Sequence, residues 1–366
     1  MVGVTVTSLR RAATAVLAVA LVVSTPFVVP NGLEAVKLLA MHNNPVELTE
    51  YRLEKLRPAD YDRAIAEALA SDDAGLAESI LDLADSRGIR IDGVTRERVE
   101  MAVSEEASLG NQIQELWDGA ITGRPDSAIG MVGAVATDLT TVGDVRDIII
   151  EGGAYLQGED YDSLILGLSV AGLAVTGAVI LSGGTASASK VGTSALKAAG
   201  KAGAIATPLR RSFTRLSSQV VSGPALRKTM PLLKRGNIPA ARRALQSSLN
   251  TKPLLKMQDA AMEVGTVMGK NGFKAGTDML KVASTPADLT KLGKLSARFG
   301  KRFRAIVFLL GSGAITLTGL LITAASWTTT FVLWLVGAAY FSYRAARFGW
   351  RFLFYPAGRM IGRLMA

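Results

Sequence analysis

The chain has 366 residues, 41 Lys+Arg against 31 Asp+Glu for a formal net charge of +10, no cysteine and one histidine, His42. Disulfides, thiolate metal sites and cysteine nucleophiles are excluded, and a lone imidazole rules out a triad or a His-rich metal site. The hydrophobic share is high, 49% against 20% charged, and it is gathered into runs, which favours membrane spans over an unusually apolar core.

The charges are segregated along the chain. Residues 31–162 hold 11 Lys+Arg against 27 Asp+Glu, a net of −16, and residues 182–366 hold 28 against 4, a net of +24. Between them lies Ser163–Leu181, nineteen residues without a charge. About 20 such residues in a helix cross roughly 30 Å of hydrocarbon. The expectation is a membrane crossing at 163–181, with the two halves in different compartments.

Taken in order, Arg10 and Arg11 precede the uncharged stretch Ala12–Val29. A small-residue cleavage pattern is poor there, because Val23-Ser24-Thr25 leads into Pro26, so residues 1–30 read as an uncleaved signal anchor. Residues 31–162 then read as an acidic, helical, periplasmic domain. Pro58 opens a helix whose stripe includes Ile65 and Leu69. Ser71-Asp72-Asp73 breaks it, and Leu76, Ile80, Leu83 and Ala84 carry a second helix to Gly88. Thr95 caps a third helix running through Val99, Met101 and Ile113 towards Trp117. Asp138, Asp144, Arg146 and Asp147 interrupt the apolar, Gly-rich stretch 121–150, which keeps it from spanning a bilayer alone.

The first hairpin has an echo. Leu69, a polar turn, Ala77 and Leu81 align with Leu233, a polar turn, Ala241 and Leu245. The pattern resembles the turn of tetratricopeptide-type helical hairpins, which implies two helices in close approach. It covers 13 residues in each place and lacks the period of about 34 that a peptide-binding solenoid requires, so two ordinary hairpins are expected. The run TTVGDVRDI followed by GGAYLQGEDYD resembles the linker ahead of toxin domains in some bacterial polymorphic toxins. It lacks that family's Pro-Gly and Thr-Gly, and no toxin domain follows.

Residues 182–304 read as a basic, helical, cytoplasmic domain. Its last helix has Thr285 as cap, Pro286 at the first position and Asp288 three beyond the cap. Leu289, Leu292, Leu295, Phe299 and Phe303 form its apolar stripe. Lys291, Lys294, Arg298, Lys301 and Arg302 form a basic one, expected at a lipid surface. Ala305–Ala325 and Trp327–Tyr343 are uncharged and read as a two-span hairpin (305–343) turning at Ser326-Trp327-Thr328. Residues 344–366 form a basic, aromatic interfacial tail, with Arg344, Arg347 and Arg351 on one face.

The motifs that carry chemistry are near misses. Ser222 to Thr229 ends as a phosphate-binding loop does, with Lys228-Thr229, but lacks both glycines. Gly265 and Gly269-Lys270 are too close together for the same motif. Among carboxylates, Asp144/Asp147 and Glu159/Asp160/Asp162 are the nearest candidates for acid–base work, and a solvated face is the favoured reading. No catalytic, cofactor-binding or metal-ligating residue is assigned. Small faces at Gly167/Ala171, Gly172/Thr176 and Ser312/Thr316 suit close helix packing.

The whole reads as an all-α, polytopic protein of a bacterial inner membrane, with four spans and both termini cytoplasmic. Its expected function is that of a non-enzymatic scaffold or adaptor. The expected partners are anionic lipids, an unidentified protein and a second copy of the chain, with nucleic acid disfavoured. The alternatives are an oligomeric transport or pore component and a membrane-attached enzyme or toxin-like effector.

Overall fold

The computed structural model describes residues 6–41, 44–106, 128–175, 185–315 and 318–364. Among them every regular element is helical and no strand occurs. The helices are α1 (Val6–Met41), α2 (Pro45–Leu53), α3 (Pro58–Ala70), α4 (Ala74–Ser86), α5 (93–106) and α6 (Ala128–Gln157). They continue as α7 (Ser163–Val175), α8 (Thr185–Lys201), α9 (Thr207–Val220), α10 (Gly223–Lys234) and α11 (Ile238–Gln246). The last five are α12 (Thr251–Asn271), α13 (Phe273–Val282), α14 (Pro286–Phe299), α15 (Phe303–Leu310) and α16 (Thr318–Leu364). The chain divides into two compact units, residues 1–44 with 317–366, and residues 45–316.

The first unit is the pair α1 and α16. Leu21 of α1 packs on Gly337 of α16, its carbonyl accepts the Trp334 indole N–H at 3.2 Å, and Gly32 lies against the Phe331 ring. Advancing along α1 from Leu21 to Gly32 therefore moves backwards along α16, so the two run antiparallel. The faces turned away from this seam stay apolar: Val22 is 74% exposed and Leu333 67%. Both helices are long and apolar enough to cross a membrane.

The expected hairpin at 305–343 does not form. Ser326-Trp327-Thr328 lies inside the continuous 47-residue α16. No glycine, proline or charge interrupts the chain there. The hydroxyls of Thr328, Thr329 and Thr330 donate to carbonyls four residues back, a bond that lets Ser and Thr continue a helix. The break falls earlier, at Gly311 with φ +53°. Residues 303–310 belong to the second unit, where Phe303, Ala305 and Ile306 are fully buried.

The second unit is organised around α7. Leu164, Ile165, Leu166, Leu168, Val170, Ala171, Leu173 and Ala174 are all buried, so α7 is covered on every side by protein. The described part of the stretch expected to cross the membrane is thus a core helix, and residues 176–181 lie outside the described residues. Asp162 caps α7 by accepting the N–H groups of Leu164 at 2.9 Å and Ile165 at 3.2 Å. Gly167 lets α9 approach until Ser217 meets its backbone.

The acidic and basic halves, expected in separate compartments, fold together here. Residues 45–316 hold 33 Lys+Arg and 30 Asp+Glu, a net of only +3. The ion pairs that cross between the halves show why. Lys197 pairs with Asp144 and Asp147, Lys201 with Asp147, and Arg210 with Asp162. Lys274 pairs with Asp73 and Glu106, Arg302 with Asp82, and Arg304 with Asp73. Opposite charge joins the two halves as complementary surfaces of one core.

The two hairpins form where the sequence places them, and their turns repeat in detail. At the end of α3, Asp72 takes φ +50° and Asp73 N–H reaches the Ala68 carbonyl; at the end of α10, Gly236 takes φ +71° and Asn237 N–H reaches the Leu232 carbonyl. In each, the next side chain caps the following helix: Asp73 accepts from Leu76 N–H at 3.1 Å and Asn237 from Ala240 N–H at 3.2 Å. A left-handed residue followed by an Asx cap reverses the chain in three residues. The shared sequence pattern is therefore a shared turn.

A very close helix crossing joins α8 and α12. A Cβ added at Gly192 would strike the Ala261 carbonyl, and one added at Gly265 would strike that of Ala188. Ala188/Gly192 and Ala261/Gly265 thus form two small-xxx-small faces in mutual contact. Gly265 here serves packing rather than phosphate binding.

Candidate functional site

Two ion networks concentrate the chemistry of the second unit. The first arises because Asp144 and Asp147 stand three apart on α6 and face Lys197 and Lys201, four apart on α8. Lys197 Nζ lies 2.7 Å from Asp144 Oδ1 and 2.7 Å from Asp147 Oδ2. Lys201 Nζ reaches Asp147 Oδ1 at 3.2 Å, and Arg146 reaches the same oxygen at 3.0 Å. The Ser169 hydroxyl approaches Asp147 Oδ2 at 3.5 Å. Gly172 leaves room for the second oxygen of Asp144 against the backbone of α7.

The two carboxylates diverge in acidity. Asp144 is only 4% exposed, and burial pushes it up to about 6 against the pull of Lys197. Burial also acts on Asp147, but hydrogen bonds from Lys197, Arg146 and Lys201 outweigh it and hold that carboxyl at about 2. Divergent carboxylates characterise acid–base pairs. Here both oxygens of Asp147 and Oδ1 of Asp144 are turned towards lysines of the same core, while Oδ2 of Asp144 abuts Gly172.

The second network centres on Arg304, which is 8% exposed. It grips Asp73 with two parallel bonds, of 3.0 and 2.6 Å, and Asp278 with a third of 2.9 Å. Lys274 joins Asp73 at 3.2 Å to Glu106 at 2.6 Å. Burial pushes Asp73 up, yet Arg304 and Lys274 hold it at about 2. Glu106 also lines a shallow cleft of about 240 Å³ with Leu69, Asp72, Ala74, Ala102 and Glu105. Both networks join the halves of the chain, and their role on this geometry is cohesion.

The residues singled out by sequence fall in several places. On α14, Lys291 lies 3.7 Å from Asp288 and Arg302, just beyond it, 3.7 Å from Asp82. Lys294 shares its surroundings with Glu263, whose carboxylate abuts Gly293. Arg298 and Lys301 enter no ion pair among the described residues. The basic stripe is therefore partly answered by acids of the same unit. Arg344 donates to the Tyr340 hydroxyl at 2.9 Å on an exposed stretch of α16 with Arg347. The side chain of Arg351 lies outside the described residues.

Of the small faces, Gly167, Ala171 and Gly172 pack inside the second unit rather than against a second copy. Thr176 and Thr316 lie outside the described residues, and Ser312 sits in the short 3₁₀ turn Gly311–Ala314. Thr229, at the end of the phosphate-loop near miss, is buried and donates to the Ala225 carbonyl at 2.8 Å. What the sequence reading missed is the Arg304 fork and the Lys197 bridge. The signal available was a lysine or arginine isolated among apolar neighbours, as Lys197 is in Ser194-Ala195-Leu196-Lys197-Ala198-Ala199. Comparison with protein-family models, curated proteins and solved structures finds no match for this chain.

Proposed function

We propose that the protein is a two-span membrane scaffold in which α1 and α16 cross the bilayer and residues 45–316 form a non-enzymatic adaptor domain on one side of it. The observation that carries this reading is the contrast in exposure: 6% of the apolar window of either helix is buried, whereas α7 is enclosed. An apolar surface of that length in water marks a membrane or protein interface. Arg10 and Arg11 precede the apolar part of α1, which begins at Ala13, while Arg344, Arg347 and Arg351 lie at or beyond the end of the apolar part of the antiparallel α16. Cationic residues thus gather at the same end of the pair, and the positive-inside rule puts that end in the cytoplasm.

The termini are then cytoplasmic and residues 45–316 extracytoplasmic. The basic stretch 182–304 shares that compartment with the acidic one, because charges on a folded domain of this size contribute little to orientation. A domain joined to the bilayer by both its ends suits a protein that holds a partner close to the membrane surface.

The test uses the absence of native cysteine. Single cysteines at Ser86, Ser218 and Ala346 are labelled with a membrane-impermeant maleimide in intact spheroplasts. Ser86→Cys and Ser218→Cys should both react, and Ala346→Cys only after lysis. Reaction of just one of the first two would place a crossing between them and overturn the reading.

A further inference from the structure

The basic face that the second unit leaves unanswered is not α14 but the outer side of the α10–α11 hairpin. Residues 163–258 contain 14 Lys+Arg and no Asp or Glu. Lys197, Lys201 and Arg210 turn inward to Asp147 and Asp162. The hairpin instead buries Ala225, Leu226, Met230, Leu233, Ala241 and Leu245 and presents Arg227, Lys228, Lys234, Arg235 and Arg243 outward. None of these five enters an ion pair among the described residues, and none is near an acid of its own hairpin. On the preceding helix, Arg211 and Arg215 repeat the arrangement on the exposed side of α9.

From this we infer that the outer face of the α10–α11 hairpin binds the anionic phosphate headgroups of the bilayer in which the chain is anchored. The inference rests on the two-span reading above. Two features choose lipid over other polyanions. The hairpin face carries no aromatic side chain on which a base could stack. The chain's own spans keep this domain at a bilayer surface, so headgroups reach it at high effective concentration. A hairpin about 18 Å long with five exposed bases matches an extended layer of phosphates better than a single fixed pocket. Exposed acids of the α3–α4 hairpin, such as Asp62, Glu67 and Glu78, are repelled by the same layer, whereas the α10–α11 hairpin carries no acid.

The experiment places a fluorophore at Ser247→Cys, one turn beyond Arg243, in the full-length chain reconstituted into nanodiscs. Quencher is attached to lipid headgroups, and discs of phosphatidylcholine are compared with discs containing phosphatidylglycerol. Quenching should rise with phosphatidylglycerol and fall in 1 M salt, where screening shortens to about 3 Å. The triple variant Arg227→Glu, Lys228→Glu, Lys234→Glu should remove the rise, since each basic residue is worth roughly fivefold in partition to an anionic surface. Arg90→Glu with Arg98→Glu, on the α4–α5 side, should leave it in place.

Equal quenching in both discs, or a rise that survives the triple variant, overturns the proposal. So does tight binding of polyuridylate without lipid-dependent quenching, which assigns the face to nucleic acid. Alkaline carbonate extraction of native membranes reports on the spans separately. A chain that is extracted overturns the two-span reading, while one that stays embedded with a lipid-independent signal overturns the hairpin proposal alone.

Discussion

Helices α7 and α1 are built from similar apolar residues, yet Leu164, Leu168 and Leu173 of α7 are enclosed by protein while Val16, Val22 and Phe27 of α1 lie mostly exposed. The more uniformly apolar of the two is the one inside the folded unit. What separates their fates is the company each keeps: α7 has helices packed against it on every side, with charges that neutralise one another around it. Hydropathy measures only the wish to leave water. Whether lipid or protein provides the refuge depends on the partners the rest of the chain supplies.

The largest expected effect comes from placing a charge in each helix. Leu168→Arg buries an unpaired guanidinium in the core of the second unit and should cost more than about 4 kcal/mol, read as loss of the cooperative unfolding transition. Val19→Arg should leave that transition intact and instead weaken membrane insertion by about 3 kcal/mol, read as a larger carbonate-extractable fraction. Similar losses of folding from both variants would erase the distinction between the helices.

Next in size is the bridge across the acidic and basic halves. Lys197→Met leaves Asp144 without its close cation and should destabilise by about 3–5 kcal/mol, measured as a lower urea midpoint. Lys294→Met, on the partly answered stripe of α14, should change the midpoint by less than about 0.5 kcal/mol.

The pH dependence sharpens the same point. Asp144 stands at about 6 in the folded state against 3.8 ordinarily, so the native state holds this proton more tightly than the unfolded one. The stabilisation is fully present below about pH 4 and is lost as pH rises through 6, amounting to at most about 3 kcal/mol. Asp147, held at about 2, acts oppositely: its stabilisation is present above about pH 4 and is lost as pH falls towards 2. Asp144→Asn should therefore flatten the decline between pH 4 and 7 while keeping the loss below pH 4. Urea titrations at pH 3, 5 and 7 separate the two.

The smallest effect tests the close crossing of α8 and α12. Gly192→Val must push the Ala261 backbone away and should cost about 1–3 kcal/mol. Gly337→Val, in the α1–α16 seam, meets only the flexible end of Leu21 and should be milder in thermal stability of the detergent-solubilised chain.

Much of the fold was legible locally. Thr285, Pro286 and Asp288 form the capping box their spacing implies, with Asp288 accepting the Thr285 N–H at 2.9 Å. The αα-hairpins at 58–86 and 223–246 follow from apolar stripes broken by residues that tolerate a left-handed turn. Asp144 and Asp147 were visible as a carboxylate pair, but their partners were not, because Lys197 is some fifty residues distant and only the approach of α8 to α6 brings it within reach. The hairpin at 305–343 was misread because a charge-free run shows where a helix is apolar without showing where it turns.

By itself the sequence determined the helical class, the hairpin turns, the caps and where the apolar stretches lie. These depend on neighbours within one or two helical turns, where capping bonds, φ preferences and side-chain spacing act directly. Only the tertiary structure decided that Ser163–Val175 is a core, that the −16 and +24 halves are complementary rather than separated, and which bases remain free. Those outcomes depend on which distant surfaces meet, and charge or hydropathy counted along a chain carries no record of the partner.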